Sequence, residues 1–458
     1  MLQSFFLPRN ILTGLLLLLC VFVNAQSNYC DQLQGNFGIK VLTQNIKVST
    51  QAYKTTTDFT GATVKLQSDI YQGTLSWNNE QMMQRPLLVL YHGGGFKSGS
   101  RNAGIMQFFA NYFAQRGYVV VSADYRMSWD KSDKTALCGG GNQSDYLDAQ
   151  YRAMQDERSL IQYYKSQTNT LKFDTSRIFV FGISSGATLA CSRLEDQWIS
   201  QDNNRSERLG VLEVFEGNRN FSTDIAGILS FAGANLTPQV SPSFHTPIAF
   251  FHGTCDNAVP LDQQYLASCS NMGYYYGPNI LSKGLDKQGV CYQKNIYCGY
   301  GHDLASIEDS NLDISWALND VFEKSLGFMQ SVMCGQCETK TQIANQGVDI
   351  HPVADCYRMI SNDICGEILP PENNKIELSP NLFHDDYTAS IQSNFDQEKT
   401  VVLNIYNMNG VRIQTQKVKI PAGVSTQSFQ INLLDKGVYL FQFIDGKKIF
   451  SSGKIWKM

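Results

Sequence analysis

Gly182–Gly186, with the sequence Gly-Ile-Ser-Ser-Gly, is the stretch that decides the fold. Apolar Ile178–Phe181 precedes it and predicts a buried strand, whereas Ala187–Cys191 predicts the start of a helix. A Gly-x-Ser-x-Gly pattern between a strand and a helix is typical of a sharp turn that exposes the serine hydroxyl at the carboxyl end of the strand. The two glycines permit the close backbone approach that such a turn needs. We therefore predict that Ser184 is a nucleophile.

The segments around this turn alternate short apolar runs with longer amphipathic ones, from about Tyr53 to Met333. This alternation predicts an α/β fold with a mostly parallel sheet flanked by helices. The predicted strands lie at 87–91, 118–122, 178–181, 225–231 and 248–251. Besides the helix that begins at Ala187, one helix is predicted within Asp145–Gln167, and two more are predicted from apolar residues at helical spacing. Their buried faces are predicted to hold Met106, Phe109, Tyr112 and Phe113 in one, and Ile314, Leu318, Val321, Phe322 and Phe328 in the last.

The length and composition exclude several classes of protein. The chain has 458 residues, of which 43% are hydrophobic, and it carries 37 basic and 41 acidic side chains for a net charge of −4. That length favours two or three domains. The balanced charge indicates neither a nucleic-acid-binding surface nor a disordered acidic chain, and nothing in the composition is typical of collagen or of a coiled coil.

Residues 1–25 predict a secretory signal peptide. Arg9 precedes an apolar run at 11–23, and small Ala25 stands at the expected cleavage point. One alternative is a membrane anchor, although the run is shorter than the roughly 20 residues that cross a bilayer. The other is a lipid anchor on Cys20, although Leu19 stands where such signals carry a small residue. No later segment is apolar enough to span a membrane, so we expect no stable membrane insertion.

Cysteine usage agrees with export. Of the 12 cysteines, removal of Cys20 with the signal leaves 11, an odd number. In an oxidising compartment disulfides are expected, and Cys191, in the middle of an apolar stretch, is predicted to stay unpaired. A zinc site is the less favoured alternative for four residues that include a Cys-x-x-Cys pair: Cys334, Cys337, Cys356 and Cys365.

The pattern of alternating strands and helices ends after Met333. A cysteine-containing linker is predicted at 334–378, with Pro370 and Pro371 near its end. Residues 379–458 hold short β-rich runs separated by turn signals, which predicts a small all-β sandwich. The predicted domains are therefore a signal peptide at 1–25, an α/β domain at 26–333, the linker and the sandwich.

A serine nucleophile also needs donors for the oxyanion that forms on the attacked carbonyl. His92–Phe96, with the sequence His-Gly-Gly-Gly-Phe, directly follows the strand that ends at Tyr91. In this pattern the backbone N–H groups of Gly94 and Gly95, together with that of Ser185, are predicted to surround the oxyanion. The alternative is a flexible glycine loop without a function.

The serine also needs a general base. The histidines downstream of Ser184 are His245, His252, His302, His351 and His384. We predict that His302 is the base, because it lies after the last strand and before the last helix. His245 and His252 are interpreted as structural, and the other two lie beyond the sheet. Asp256 is predicted to orient His302, and Asp303 is its competitor, although a carboxylate next to its histidine in sequence rarely points the right way.

Ser184, Asp256 and His302 occur in the chain order of α/β-hydrolases. Residues 46–333 resemble the carboxylesterase branch of that superfamily. The four motifs that carry the resemblance are His92–Phe96, Gly117–Arg126, Phe173–Ile178, which precedes the serine turn, and His252–Pro260. Within the branch, the chain is most similar to feruloyl and acetylxylan esterases.

The resemblance implies a secreted serine esterase that works through a Ser-His-Asp triad and an acyl-enzyme. The implied substrates are acetyl or hydroxycinnamoyl esters of polysaccharides, and neither a cofactor nor a metal is implied. Ala187 departs from the family, since many relatives have glycine there. The polar stretch 191–223 lacks the apolar insertion of a lipase lid, which favours soluble esters.

Two other functions remain as alternatives. One is a serine peptidase of the prolyl oligopeptidase type, which shares the fold and the order of the triad. The other is a non-catalytic surface protein on a hydrolase scaffold. Tyr274–Tyr276 and Trp198 are interpreted either as stacking platforms for sugar or phenolic rings or as core and surface filling.

Residues 379–458 resemble the type A sorting domain of the type IX secretion system. The resemblance is carried by Pro380-Asn381, Ile405–Gly410, Lys436–Leu440 and the lysines Lys454 and Lys457, whereas Leu382 replaces a second proline. It implies contact with the type IX machinery, passage across the outer membrane to the exterior or the cell surface, and removal of the domain. A carbohydrate-binding sandwich that stays attached is the alternative.

Overall fold

The computed structural model describes most of the chain in two compact units, Met1–Ala344 and Asn345–Met458. The described residues of the first unit are 41–127, 129, 142–195, 203–212, 221–298, 300–302 and 316–344. Those of the second are 376–379, 382–383, 387–395, 397–407, 412–421, 423–431, 437–445 and 448–457. The predicted signal peptide and residues 345–375 lie outside them. No helix among the described residues combines the length and apolar character needed to cross a membrane.

A nine-stranded sheet forms the centre of the first unit. Its strands are β1 (Ile46–Thr57), β2 (Thr63–Gly73), β3 (Leu87–Tyr91), β4 (Val119–Ala123), β5 (Ile178–Ile183), β6 (Gly227–Phe231), β7 (Ile248–Gly253), β10 (Tyr292–Tyr297) and β11 (Lys340–Ala344). In space their order is β1-β2-β4-β3-β5-β6-β7-β10-β11. From β4 onward in this order, each strand runs parallel to its neighbour. At the other edge, β2 runs antiparallel to both of its neighbours, β1 and β4. The predicted mostly parallel sheet is thus confirmed.

Helices and a small hairpin connect these strands. The described helices are α1 (Asn79–Met83), α2 (Gly104–Ala114), α3 (Gln143–Ser166), α4 (Thr168–Leu171), α5 (Ser185–Cys191), α6 (Asn203–Leu209), α7 (Pro278–Gln288) and α8 (Trp316–Met333). The hairpin consists of β8 (Gln263–Tyr265) and β9 (Tyr274–Tyr276), and it forms a sheet of its own. It lies between β7 and β10 in the chain.

Both faces of the central sheet are buried, which explains the continuous apolar runs of its strands. All five residues of β3 are buried. Leu88 and Leu90 belong to one apolar cluster, and Leu87, Val89 and Tyr91 belong to the other. The alternation follows from the two-residue period of a strand.

The predicted faces of α2 and α8 meet on one side of the sheet. In α2, Met106, Phe109 and Phe113 are buried, and the ring of Tyr112 stacks on that of Phe322 with centroids 4.1 Å apart. In α8 the predicted residues Leu318, Val321, Phe322 and Phe328 are all buried. The fifth predicted residue, Ile314, lies outside the described part of the chain.

A buried ion-pair network lies on the opposite side of the sheet. The Asp156 carboxylate in α3 lies 2.8 Å from Lys54 Nζ and 2.8 Å from Arg126 Nε, and its side chain is fully buried. A buried carboxylate without such partners would be strongly destabilising. Arg126 is the residue after Tyr125, so the network anchors the chain segment that leaves β4 toward the candidate site.

The first unit extends beyond the boundary predicted at Met333. Strand β11 pairs in parallel with β10, although its sequence lies in the segment predicted as a linker. Cys337 is bonded to Cys291, and Cys334 is also in a disulfide, so this Cys-x-x-Cys pair does not supply two free thiolates for zinc. The strand was missed because its exposed, polar residues at a sheet edge carry little hydrophobic signal.

Cys191 is the free cysteine among the described residues, as predicted, and it is fully buried in α5. Burial raises the pKa of its thiol to about 12. Because only the thiolate is a good nucleophile, we expect no labelling of Cys191 by iodoacetamide in the native protein. Peptide mass mapping before and after denaturation would check this. Labelling of the native protein at a rate similar to that of the unfolded chain would contradict it.

The second unit is all-β, which confirms its predicted class. Its strands are β12 (Ile376–Ser379), β13 (Leu382–Phe383), β14 (Tyr387–Phe395), β15 (Lys399–Asn407), β16 (Arg412–Ile420), β17 (Gly423–Ile431), β18 (Gly437–Asp445) and β19 (Lys448–Lys457). They form one sheet in the order β12-β14-β17 and another in the order β13-β19-β18-β15-β16. Alternate residues of β15, namely Val401, Leu403 and Ile405, are fully buried.

Candidate active site

Ser184 lies at the turn between β5 and α5, as the sequence predicted. Its backbone has φ 55° and ψ −119°, a conformation that L-residues rarely adopt and that persists only when the surroundings enforce it. The Ser184 N–H donates to the Phe231 carbonyl of the neighbouring strand at 2.8 Å. This bond fixes the strained residue at the carboxyl edge of the sheet.

The glycines beside Ser184 are required by close approach of the backbone. A Cβ atom added at Gly186 would collide with the carbonyl oxygens of Tyr91 and His92. One added at Gly182 would collide with the Gly186 carbonyl. The turn is therefore packed directly against the end of β3, where the glycine-rich loop begins.

His302 lies between Ser184 and Asp256. Its Nε2 atom is 2.9 Å from Ser184 Oγ, and its Nδ1 atom is 2.8 Å from Asp256 Oδ2. Asp256 follows β7 and His302 follows β10, and these two strands are neighbours in the parallel sheet, so their carboxyl ends meet. The structure thus brings together the three residues that the sequence selected. The competitor Asp303 lies outside the described residues.

The Asp256 carboxylate is buried but well supplied with donors. Its Oδ1 atom accepts the backbone N–H groups of Ala258 at 3.0 Å and Val259 at 2.8 Å. Burial by itself raises the pKa of Asp256, but hydrogen bonds and charge interactions from His252 and His302 outweigh it, so the pKa lies well below its usual range. The group is therefore ionised and can accept a hydrogen bond from His302 Nδ1–H.

His252 is the residue of this site that sequence reasoning missed. It was interpreted as structural, yet its Nε2 atom lies 3.3 Å from Asp256 Oδ2, beside the bond from His302. Its position four residues before Asp256, at the end of the same strand, was the available signal. Of the remaining histidines, His245 is exposed, and His351 and His384 lie outside the described residues.

The glycine-rich loop passes beside the nucleophile. A Cβ atom added at Gly93 would lie 3.1 Å from Ser184 Cβ. Gly94 and Gly95 have φ values of 111° and 63°, which favour glycine. Among the described residues, no acceptor takes a hydrogen bond from the backbone N–H of Gly94, Gly95 or Ser185. These three groups are the predicted oxyanion donors, and N–H groups without a partner among the described residues are suited to that role.

Two aromatic residues hold this loop in place. The Tyr125 hydroxyl donates to the His92 carbonyl at 2.7 Å and lies 3.3 Å from Ser185 Oγ, and its ring stacks on that of His92. Trp129 Nε1 donates to the Gly95 carbonyl at 2.9 Å. Burial raises the pKa of Tyr125, so the phenol stays protonated. Tyr125 thus links the loop to the residue that follows the nucleophile.

Replacing Tyr125 with phenylalanine should reduce kcat by up to about 10-fold. The change removes the hydroxyl that joins the His92 carbonyl to Ser185, and a buried hydrogen bond contributes about 1 kcal/mol. Ester hydrolysis kinetics and thermal unfolding would measure both effects. Tyr164→Phe is the matched control, because its buried hydroxyl bonds Ser68 at 2.6 Å, away from the loop. Equal losses of kcat in the two variants would contradict the role given to Tyr125.

The aromatic residues considered as stacking platforms differ in their exposure to solvent. Tyr275 is fully buried and packs edge-on against Tyr146, so it fills the core. Tyr274 is 45% exposed, and its ring stacks on that of Tyr265 with centroids 4.2 Å apart. Trp198 lies outside the described residues. Of the three consecutive tyrosines, Tyr274 is thus the one with a large ring surface open to solvent.

The parallel sheet, the strained serine turn and the loops at its carboxyl edge define the first unit as an α/β-hydrolase domain. A family model described as an alpha/beta hydrolase fold matches residues 88–212. A second model, described as a secretion system C-terminal sorting domain, matches residues 380–457. The chain therefore joins a hydrolase-fold domain to a sorting domain, and the latter indicates secretion or placement at the cell surface through the type IX machinery.

The chain is similar to two known proteins at low sequence identity or over part of its length. A curated relative, the neuroligin-like protein glit-1 of Caenorhabditis elegans, is 30% identical over 102 residues, which is 22% of this chain and 12% of that protein. Among solved structures, Thermogutta terrifontis esterase 2 phosphorylated by paraoxon is 21% identical, with a TM-score of 0.44 over 64% of this chain and 96% of that one. The apo form of the same esterase is 19% identical, with a TM-score of 0.43 over 64% and 97% of the two chains.

Proposed function

We propose that this protein is a secreted serine esterase in which Ser184, His302 and Asp256 form the catalytic triad. The observation that carries the proposal is the hydrogen-bonded chain from Ser184 Oγ through both His302 nitrogens to Asp256, at 2.9 and 2.8 Å. A nucleophile within reach of a base that a third group orients is the arrangement that activates a serine.

In the proposed first step, Ser184 Oγ attacks the ester carbonyl while His302 Nε2 takes its proton. The negative charge that develops on the carbonyl oxygen is stabilised by the N–H groups of Gly94, Gly95 and Ser185. Each such donor contributes about 3 kcal/mol to the stability of the transition state. His302 then returns the proton to the departing alcohol, which leaves an acyl group on Ser184.

In the second step, His302 takes a proton from water, and the resulting nucleophile attacks the acyl-enzyme. The ionised Asp256 stabilises the imidazolium that forms in both steps. Because its carboxylate is buried and hydrogen-bonded, little rearrangement is needed as the charge on His302 appears. Collapse of the second tetrahedral intermediate releases the acid and restores Ser184.

The proposed substrates are acetyl or hydroxycinnamoyl esters carried by polysaccharides. Two features support this class. The sorting domain directs the chain outward, where such polymers are found, and Tyr274 presents an exposed ring on the hairpin. That hairpin packs on the Asp256 loop, since Ala267 N–H donates to the Ala258 carbonyl at 2.7 Å and Ser268 Oγ donates to the Asn257 carbonyl at 3.1 Å. An exposed aromatic ring on this hairpin suits contact with a sugar or a phenolic ring.

A substrate panel tests the proposal. The purified protein is expected to release acetate from acetylated xylan or ferulate from feruloylated arabinoxylan, and to hydrolyse p-nitrophenyl acetate. Activity confined to long-chain lipid esters would reject the polysaccharide substrates. Cleavage of a peptidyl anilide, with no ester turnover, would favour the peptidase.

An active-site label separates an inactive scaffold from a wrong choice of substrate. A fluorophosphonate probe is expected to label Ser184 in the native protein but not in the Ser184→Ala variant. No labelling and no turnover together would favour the non-catalytic surface protein.

A further inference from the structure

His252 is buried beside the candidate triad, and its hydrogen bonds define its protonation. It lies at the end of β7 with 1% of its surface exposed, and its Nε2 atom is 3.0 Å from the Val259 carbonyl and 3.3 Å from Asp256 Oδ2. Both neighbours are acceptors, so Nε2 carries a proton. Its Nδ1 atom has no hydrogen-bond partner among the described residues, and a proton there would be a buried donor without an acceptor.

The Asp256 carboxylate consequently has N–H groups near both oxygens. The backbone N–H groups of Ala258 and Val259 bond Oδ1, and His302 Nδ1 bonds Oδ2 at 2.8 Å. The Nε2–H of His252, which bonds the Val259 carbonyl at 3.0 Å, also lies 3.3 Å from Oδ2 and is shared between the two acceptors. The backbone pair fixes only the first oxygen. The second oxygen, which accepts the hydrogen bond from His302 Nδ1, has His252 Nε2 as its other neighbouring donor.

We propose that His252 is a positioning residue that holds Asp256 Oδ2 where it accepts the hydrogen bond from His302 Nδ1. The strand arrangement places it well for this, since His252 on β7 is paired with Ile296 on β10, the strand that leads to His302. Its effect on rate rests on the proposed function, but the hydrogen-bonded arrangement itself can be tested without turnover.

The same contact affects the charge that His302 experiences. Among the described residues, His252 and His302 are the titratable side chains that bond the Asp256 carboxylate. A donor from His252 withdraws part of the negative charge from Oδ2. Without that donor, the full charge would face His302 and stabilise its imidazolium form, so His302 would lose its proton at a higher pH.

Three substitutions separate this role from simple filling of space. The amide nitrogen of glutamine reaches about as far from the backbone as His252 Nε2, whereas that of asparagine reaches only as far as Nδ1. His252→Gln should therefore keep a donor at Oδ2, and His252→Asn should lose it. His252→Phe keeps the ring volume but has no donor.

Ester hydrolysis by the full chain gives the first readout. A hydrogen bond to a charged group corresponds to roughly a 10- to 100-fold effect, so kcat should fall by this factor in His252→Asn and His252→Phe with little change in KM. In a plot of kcat against pH, the acidic limb should move to higher pH in the same two variants. In His252→Gln, kcat should stay within about threefold of the wild-type value, and the acidic limb should lie at the wild-type pH.

Imidazole NMR of histidine-labelled protein gives a readout that does not depend on enzymatic activity. In the wild type, His252 should be neutral with its proton on Nε2. The His302 Nδ1 proton, shared with Asp256, should give a far-downfield resonance that persists in His252→Gln and shifts in His252→Asn. If the chain hydrolyses no ester at all, the proposed function fails, and these spectra still decide the role of His252.

Two results would overturn the inference. One is a wild-type His252 with its neutral proton on Nδ1, because Nε2 could then not donate to Asp256. The other is a set of folded variants in which glutamine, asparagine and phenylalanine lower kcat equally while the acidic limb and the His302 resonance stay unchanged. That pattern would assign His252 to packing alone.

Discussion

Replacing Ser184 with alanine is expected to lower kcat/KM for p-nitrophenyl acetate by at least about 10³-fold. In serine hydrolases, loss of the nucleophile removes the acyl-enzyme route and leaves only the catalysis that the oxyanion donors and substrate binding provide. The fold should be unaffected, because alanine keeps the Cβ atom and the backbone N–H that bonds Phe231. Steady-state kinetics of the purified wild type and variant would measure the effect.

Ser192→Ala is the matched control. Ser192 is a buried serine that lies just after α5, and its hydroxyl donates to the Leu189 carbonyl in that helix at 2.6 Å. We expect this variant to keep its activity within about twofold, as is usual for a small change away from the site. An active Ser184→Ala protein would show that another residue is the nucleophile.

Replacing Asp256 with asparagine is expected to lower kcat by about 10⁴-fold. The two backbone N–H groups at Oδ1 would hold the amide oxygen at that position and turn the amide NH₂ toward His302. His302 Nδ1 would then have to accept a hydrogen bond, so the proton of the neutral imidazole would move to Nε2. In that tautomer His302 cannot take the proton of Ser184.

The Asp303→Asn variant distinguishes the two carboxylates considered for this role. We expect it to retain most of the wild-type kcat, because the Asp256 carboxylate already bonds His302. Kinetics of both variants against the same ester would decide. A large loss in Asp303→Asn together with an active Asp256→Asn protein would transfer the orienting role to Asp303.

The lowered pKa of Asp256 adds a dependence on pH to this comparison. A carboxylate whose pKa is lower in the folded state contributes stability above its unfolded value of about 3.9, and this contribution is lost as the pH falls toward the folded value. The difference in free energy of unfolding between the wild type and Asp256→Asn should therefore be largest above about pH 5. It should shrink on acidification.

The central strands and helices were predictable because their sequences carry strong local patterns. Strand β3 is apolar throughout because both its faces are buried, and α8 repeats its apolar residues at helical spacing. Strands β1 and β11 escaped prediction for the opposite reason. Most residues of β1 are exposed or only partly buried, and none of β11 is buried, so little periodicity remains in their sequences.

The candidate site also contains residues that a local sequence pattern predicts and residues that no such pattern predicts. Ser184 was predictable because its turn has a sequence signature, and His302 and Asp256 because chain order restricts the choice. The bond from Tyr125 to the His92 carbonyl and the contact between His252 and Asp256 depend on how β3, β4, β7 and their loops pack. Such contacts leave no short pattern in the chain, so only the structure could place them.

The late strand β11 restricts where the sorting domain can be separated from the hydrolase-fold domain. Proteolysis before Ala344 would remove part or all of the strand and leave the hydrogen-bonding groups of β10 without partners along a free sheet edge. Such an edge is a template for aggregation. A cut that leaves a soluble, intact hydrolase-fold domain therefore has to fall in residues 345–375, between β11 and the first strand of the second unit.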